Sequence, residues 1–131
     1  MAWVSDPARE FAYVARSVVC PQPEGWIKTL GLSLIFEEKG LFATKYIPAG
    51  TMIGTYSGTE YKDEELKKRM NHPYLLRFTN STGEEIGIIS DSILRFSNHS
   101  RTPNMAVRQN KFFTIKDVLK NEELTWNYGG W

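Results

Sequence analysis

Apolar residues along this chain fall in short runs divided by Gly, Pro, Asn and charged residues, the texture of strands and turns rather than of long helices. Leu34-Ile35-Phe36 reads as a short strand, Glu37-Glu38-Lys39-Gly40 as a turn, and Leu41-Phe42-Ala43 as the next strand. Ile47-Pro48-Ala49-Gly50 turns the chain again into residues 51–56, a strand rich in β-branched residues that Ser57-Gly58 closes. Three strands so spaced, with no helix between them, predict a small antiparallel sheet and not parallel βαβ units. Residues 74–79 and 86–89 flank a turn at Asn80-Ser81-Thr82-Gly83, and residues 105–115 alternate in part around Gln109-Asn110-Lys111. Both segments read as hairpins.

Two stretches carry helical spacing. Asp6-Pro7 has the form of a helix start, with Asp6 as N-cap and Pro7 at the first helical position. Phe11, Val14, Ala15 and Val18 then recur at helical intervals until Pro21 and Pro23 end the segment. This predicts an amphipathic helix within an N-terminal extension, residues 1–31, packed on a domain formed by residues 32–131. Residues 62–71, KDEELKKRMN, predict a surface helix whose acidic residues lead and basic residues follow, with Glu64–Lys68 and Glu65–Arg69 as i,i+4 pairs. The expected fold class is mainly β with short helices (α+β).

At 131 residues the chain is one domain with room for a core. Sixteen basic and fifteen acidic side chains leave a net charge of +1. That argues against direct nucleic-acid binding, which needs a clustered basic excess. The single cysteine, Cys20, has no internal disulfide partner and reads as a small buried hydrophobe. With only His72 and His99 beside it, no Cys/His zinc set can be assembled, so no metal is expected. No basic n-region precedes an apolar run and no stretch reaches membrane-spanning length, so no membrane partner is expected. The expectation is an intracellular protein, in cytoplasm or nucleus, or in host or bacterial cytoplasm if the chain is viral or bacterial.

The last third resists this reading. RFSNHSRTPN at 95–104 and ELTWNYGGW at 123–131 set polar punctuation into apolar stretches, which is where sites tend to be built. RFSNHSRTPN resembles the RF-x-NHS-C-x-PN signature of SET-domain protein lysine methyltransferases, with Arg101 where cysteine is usual. Residues 123–129 are similar to that family's second signature, EELT-x-DYG, with Asn127 in place of aspartate. Residues 40–58, GLFATKYIPAGTMIGTYSG, resemble its N-terminal block, GxGLFA…IPxGTxIxEYxG. The three blocks stand in the family's order and cover roughly residues 32–130.

The resemblance implies a SET-domain fold of small antiparallel sheets with a C-terminal pseudoknot. It implies S-adenosyl-L-methionine as methyl donor, S-adenosyl-L-homocysteine as product, and a lysine of a protein or peptide, histone or non-histone, as acceptor. By the motif match, Lys39, Gly40 and Leu41 contact the cofactor largely through backbone, Arg95, Asn98 and His99 complete its pocket, and Tyr74 lies against it. Tyr128 matches the catalytic tyrosine and Tyr56 an aromatic of the lysine channel, to which Trp126 and Trp131 also belong. Cofactor-loop glycine is replaced by Glu38. With Arg101 at the cysteine position and no cysteine-rich tail in this sequence, the zinc site that many members share with such a tail is not expected. Either Trp131 or a second subunit, in a homodimer, is expected to close the channel.

The chemistry is coherent without the resemblance. A lysine amine has an ordinary pKa near ~10.4, so its lone pair is blocked at neutral pH. A narrow aromatic channel disfavours the ammonium and fixes the line of attack, which in favourable systems supplies about 7–11 kcal/mol. Tyrosine hydroxyls and carbonyls can hold a sulfonium methyl through C–H···O contacts. The alternative is a catalytically weakened module that binds a lysine-bearing peptide, degraded at Glu38, Arg101 and Asn127. A hydrolase built on Cys20 or Ser100 is a poor fit, because Ser100 adjoins His99 and no acidic orienter is apparent.

Overall fold

The computed structural model describes residues 6–17 and 39–129. Its strands in chain order are β1 (Ala12–Arg16), β2 (Lys39–Ala43), β3 (Met52–Thr55), β4 (Gly58–Tyr61), β5 (Leu75–Thr79), β6 (Glu85–Ser90), β7 (Asn98–His99), β8 (Met105–Arg108), β9 (Lys111–Thr114) and β10 (Glu123–Trp126). One short helix, α1 (Asp63–Lys67), and two 3-10 turns, Pro7–Glu10 and Ile93–Phe96, interrupt them. They form three small sheets, ordered β1-β2-β10-β7, β3-β9-β8 and β4-β6-β5. The mainly β, small-sheet architecture agrees with the fold expected from the sequence.

Both hairpins form. β5 and β6 pair antiparallel with Leu76 opposite Ile88, across a turn in which Asn80 Oδ1 accepts from the Thr82 and Glu84 amides and Gly83 takes a φ of 86°. β8 and β9 pair with Arg108 opposite Lys111, and Gln109 holds the left-handed conformation, φ 56°, that the two-residue turn requires. The core gathers where the sheets meet: Leu41, Ile47, Ile53, Ile88, Leu94, Met105, Phe112, Val118 and Leu124 are almost wholly shielded from water.

The N-terminal helix is not what forms. Asp6 does cap, accepting from the Ala8 amide at 3.0 Å, but it caps a single 3-10 turn, and residues 12–16 continue as β1. β1 pairs antiparallel with β2 along its length, Ala12 opposite Ala43 and Arg16 opposite Lys39. The spacing of Phe11, Val14 and Ala15 fits a helix or a half-buried strand, and the unpaired edge of β2 decides for the strand. Residues 62–71 also give less helix than predicted: α1 ends at Lys67 and hydrogen-bonded turns run on to His72. Pro73 disfavours helix at the residue before it. Of the ion pairs, Glu65–Arg69 forms at 2.7 Å, whereas Glu64 pairs with Lys67 and Lys68 with Glu65, each one residue short of the i,i+4 partner. β4 begins at Gly58, where a closing turn was expected, and runs antiparallel to β6. Leu34–Phe36, Glu38, Cys20 and Trp131 lie outside the described residues.

β7 is only two residues long, yet it carries Asn98 and His99 into the first sheet. Asn98 lies beside Thr125 and His99 beside Trp126, in parallel. Asn104 ties the same two blocks together, its side chain donating to Glu123 O at 2.8 Å and accepting from the Thr125 amide at 2.9 Å. The two signature segments of the last third are therefore joined directly, at the place where the resemblance implies a pseudoknot.

Candidate active site

An open cleft of about 440 Å³ is lined by Tyr56, Tyr74, Arg95, Ser97, Trp126 and Tyr128, with Leu76, Leu94 and Phe112 among its apolar walls. Five elements supply these residues: the end of β3, β5 with its approach, the second 3-10 turn with the residue after it, β9 and the end of β10. An aromatic chain crosses it. Ring centroids are 5.9 Å apart for Tyr56–Phe112, 5.6 Å for Phe112–Trp126 and 4.9 Å for Trp126–Tyr128, all in tilted or edge arrangements of the kind aromatic pairs favour.

Two phenols in the cleft are aimed at main-chain carbonyls. Tyr128 Oη donates to Ser97 O at 2.7 Å, and Tyr56 Oη donates to Tyr74 O at 2.6 Å. Tyr56 is buried and Tyr128 exposed. Burial raises the Tyr56 phenol well above its ordinary value; Arg95 pulls the other way, and Tyr128 and Tyr74 push with burial. That hydroxyl therefore stays a neutral donor at any working pH. The Tyr128 amide donates to His99 Nδ1 at 3.0 Å, and the His99 ring lies 5.2 Å from the Tyr128 ring. An accepting Nδ1 puts the proton of a neutral His99 on Nε2.

Arg95 is held by its own turn. Its Nη1 donates to Ser92 O at 3.1 Å and also to Asp91 O. Its guanidinium lies 4.4 Å from the Phe96 ring centroid and 5.7 Å from that of Tyr74. Lys39 Nζ also stands over Phe96, at 5.4 Å. Among the described residues, the charged groups on the cleft wall are the guanidiniums of Arg77 and Arg95, with no carboxylate.

Lys39, Gly40, Leu41 and Asn98 gather beside this cleft rather than in it. Asn98 Nδ2 donates to Lys39 O at 3.1 Å and to Glu123 Oε2 at 2.8 Å, which joins β2, β7 and β10. A Cβ on Gly40 would stand 2.6 Å from Glu123 Oε2, so any side chain there would push the carboxylate aside. Leu41 is turned away: its side chain is fully buried and it pairs with Val14 on one side and Leu124 on the other. The structure thus brings together two groups of predicted residues, Tyr56, Tyr74, Arg95, Trp126 and Tyr128 around the cleft, and Lys39, Gly40 and Asn98 beside it. His99 bridges them.

Sequence reasoning missed Ser97, Phe112 and Glu123. Ser97 contributes a carbonyl, which no side-chain pattern can reveal. Phe112 was legible as the inward position of the β8–β9 hairpin. Glu123 stood inside a recognised block, but nothing in its spacing showed that its carboxylate reaches Asn98.

Comparisons with known proteins converge on one family. The family model described as SET domain matches residues 38–129. The chain is 34% identical over 106 residues to the histone-lysine N-methyltransferase, H3 lysine-36 specific, of Cryptococcus neoformans, covering 68% of this chain and 12% of that protein. It is 30% identical over 105 residues to the histone-lysine N-methyltransferase, H3 lysine-4 specific, of Aspergillus oryzae, covering 68% of this chain and 8% of the relative. For the histone-lysine N-methyltransferase SETMAR of Rattus norvegicus the figures are 29% over 113 residues, 70% and 36%. The chain thus spans well under half the length of these relatives.

Proposed function

This chain belongs to the SET-domain family, and we propose that it transfers a methyl group from S-adenosyl-L-methionine to the side-chain amine of a protein lysine. The observation that carries the reading is the aromatic cleft with Tyr56 and Tyr128 aimed at carbonyls across its walls. Apolar walls with guanidiniums and no carboxylate disfavour an ammonium and favour the neutral amine that a methyl transfer requires. The rings of Tyr56, Phe112, Trp126 and Tyr128 form an aromatic wall along which that amine would be oriented. Tyr128 Oη and Ser97 O supply oxygen acceptors beside it.

The residues beside the cleft fit a cofactor. Asn98 is 9% exposed, and its Oδ1 accepts no hydrogen bond from any described residue, so a donor belongs there. Gly40 lies buried at the same place, with the Glu123 carboxylate and Ser17 filling the space a side chain would take. Lys39, Gly40, Asn98 and His99 are accordingly assigned to the cofactor, with Arg95 and Tyr74 at its border. When bound, that cofactor supplies an activated methyl group on a sulfonium. The names of the relatives point to histone H3 as the first substrate to try.

Labelled S-adenosylmethionine added with the protein to histones and to a cell lysate tests the reading. Label is expected in a protein lysine with the wild type. Tyr128→Phe, which removes the hydroxyl donor to Ser97, is expected to slow transfer by about 10²-fold or more, on the scale of lost transition-state groups. Undiminished transfer by the variant would show that Tyr128 has another role. Cofactor binding without transfer to any protein would favour the peptide-binding alternative.

A further inference from the structure

The carboxylate of Glu123 sits where β1, β2, β7 and β10 converge and takes no part in the cleft. Ser17 Oγ lies 3.1 and 3.3 Å from its two oxygens, and Asn98 Nδ2 donates to Oε2 at 2.8 Å. Gly40 stands so close that any Cβ would strike Oε2. Both donors are neutral, and no salt bridge among the described residues reaches Glu123. A half-buried anion with only neutral donors is unfavourable until a cation completes it.

Asn98 carries the same message one hydrogen bond away. A carboxylate can only accept, so it commits one amide hydrogen of Asn98, and Lys39 O commits the other. The amide is thereby fixed in one orientation, with Oδ1 as its remaining acceptor. An acceptor without a described donor and an anion without a described cation thus lie side by side, and the ligand chemistry that satisfies both is an ammonium.

Resting on the cofactor reading above, we infer that Glu123 is a positioning residue for the ammonium of the cofactor's methionyl end. It fixes the Asn98 amide so that Oδ1 is the atom offered, and it supplies the counter-charge through that amide. Gly40 is required because only a residue without a side chain leaves the carboxylate in place.

Calorimetric titration of the wild type, Glu123→Gln and Glu123→Asp with two ligands decides this. S-adenosylhomocysteine carries the ammonium; methylthioadenosine keeps the nucleoside thioether but lacks the amino acid. Glu123→Gln is expected to weaken S-adenosylhomocysteine about tenfold or more while methylthioadenosine changes less than about twofold, as loss of a charge-assisted contact predicts. Glu123→Asp, which keeps the charge but draws it back from the Asn98 amide, is expected to show the same selectivity, and it decides the matter if Glu123→Gln gives no cooperative melt. Equal weakening of both ligands, or of neither, would overturn the inference while leaving the cofactor reading intact. A wild type that binds neither ligand would remove the cofactor reading, and the inference with it.

Discussion

Tyr56 and Tyr128 are the same side chain put to different use by their surroundings. Tyr56 is buried among Phe112 and its neighbours, and burial holds its phenol protonated. Because its folded value lies above the unfolded value of about 10, its contribution to stability is complete below that pH and is lost as pH rises beyond it. It therefore adds no inflection to a pH–rate profile in the neutral and mildly alkaline range. The rate of methyl transfer is expected to rise with pH as the acceptor lysine deprotonates, with the same inflection in the wild type and in Tyr56→Phe. Disappearance of that inflection in the variant would mean that Tyr56 itself titrates. Thermal melts should show Tyr56→Phe destabilised by about 1 kcal/mol, the cost of the lost bond to Tyr74 O. At this scale the sequence singled out side chains that the structure places in or beside the cleft, as with Tyr56, Tyr128 and Asn98. It was silent where a carbonyl takes part, as with Ser97, and where a tertiary contact does, as between Glu123 and Asn98.

Short elements make this fold depend on the residues that join them. Asp6 is the clearest case. Its Oδ1 caps the first 3-10 turn, and its Oδ2 accepts from both Ser92 Oγ and the Ile93 amide at 2.8 Å, at the head of the second turn. That second turn carries Arg95 and leads into Ser97 and Asn98, so the cap holds one wall of the cleft. Asp6→Ala is expected to cost about 2–3 kcal/mol, the loss of a cap together with charge-assisted bonds, readable as a shift of the urea midpoint. A change within about 0.5 kcal/mol would show that the two turns are held by packing alone. The cap was legible in Asp6-Pro7, but the length of what it caps was not. Helical spacing at Phe11, Val14 and Ala15 also suits a strand once β2 offers an edge, and that edge is set by tertiary structure. The hairpins at Asn80–Gly83 and Gln109-Asn110 were legible because their turn chemistry is local.

For the molecule as a whole, the joint between β7 and β10 brings the residues proposed to hold a cofactor and the cleft together across a single parallel pairing. Thr125 and Trp126 lie beside Asn98 and His99, and Trp126 also lines the cleft. Loosening this pairing would disturb both halves at once. The recognised blocks made the architecture readable because they meet at this joint. The fine geometry was not readable, since it arises from contacts between residues far apart in the chain. The central claim is that the cleft delivers a methyl group to a lysine amine. Its most direct test is mass spectrometry of histone H3 peptides incubated with the protein and S-adenosylmethionine, each beside a copy in which the lysines are replaced by arginine. The account predicts a gain of whole methyl masses that maps to lysine and is absent from the arginine copies. A methyl gain on the arginine copies, or an unchanged mass in every peptide and lysate protein while the cofactor binds, would contradict it.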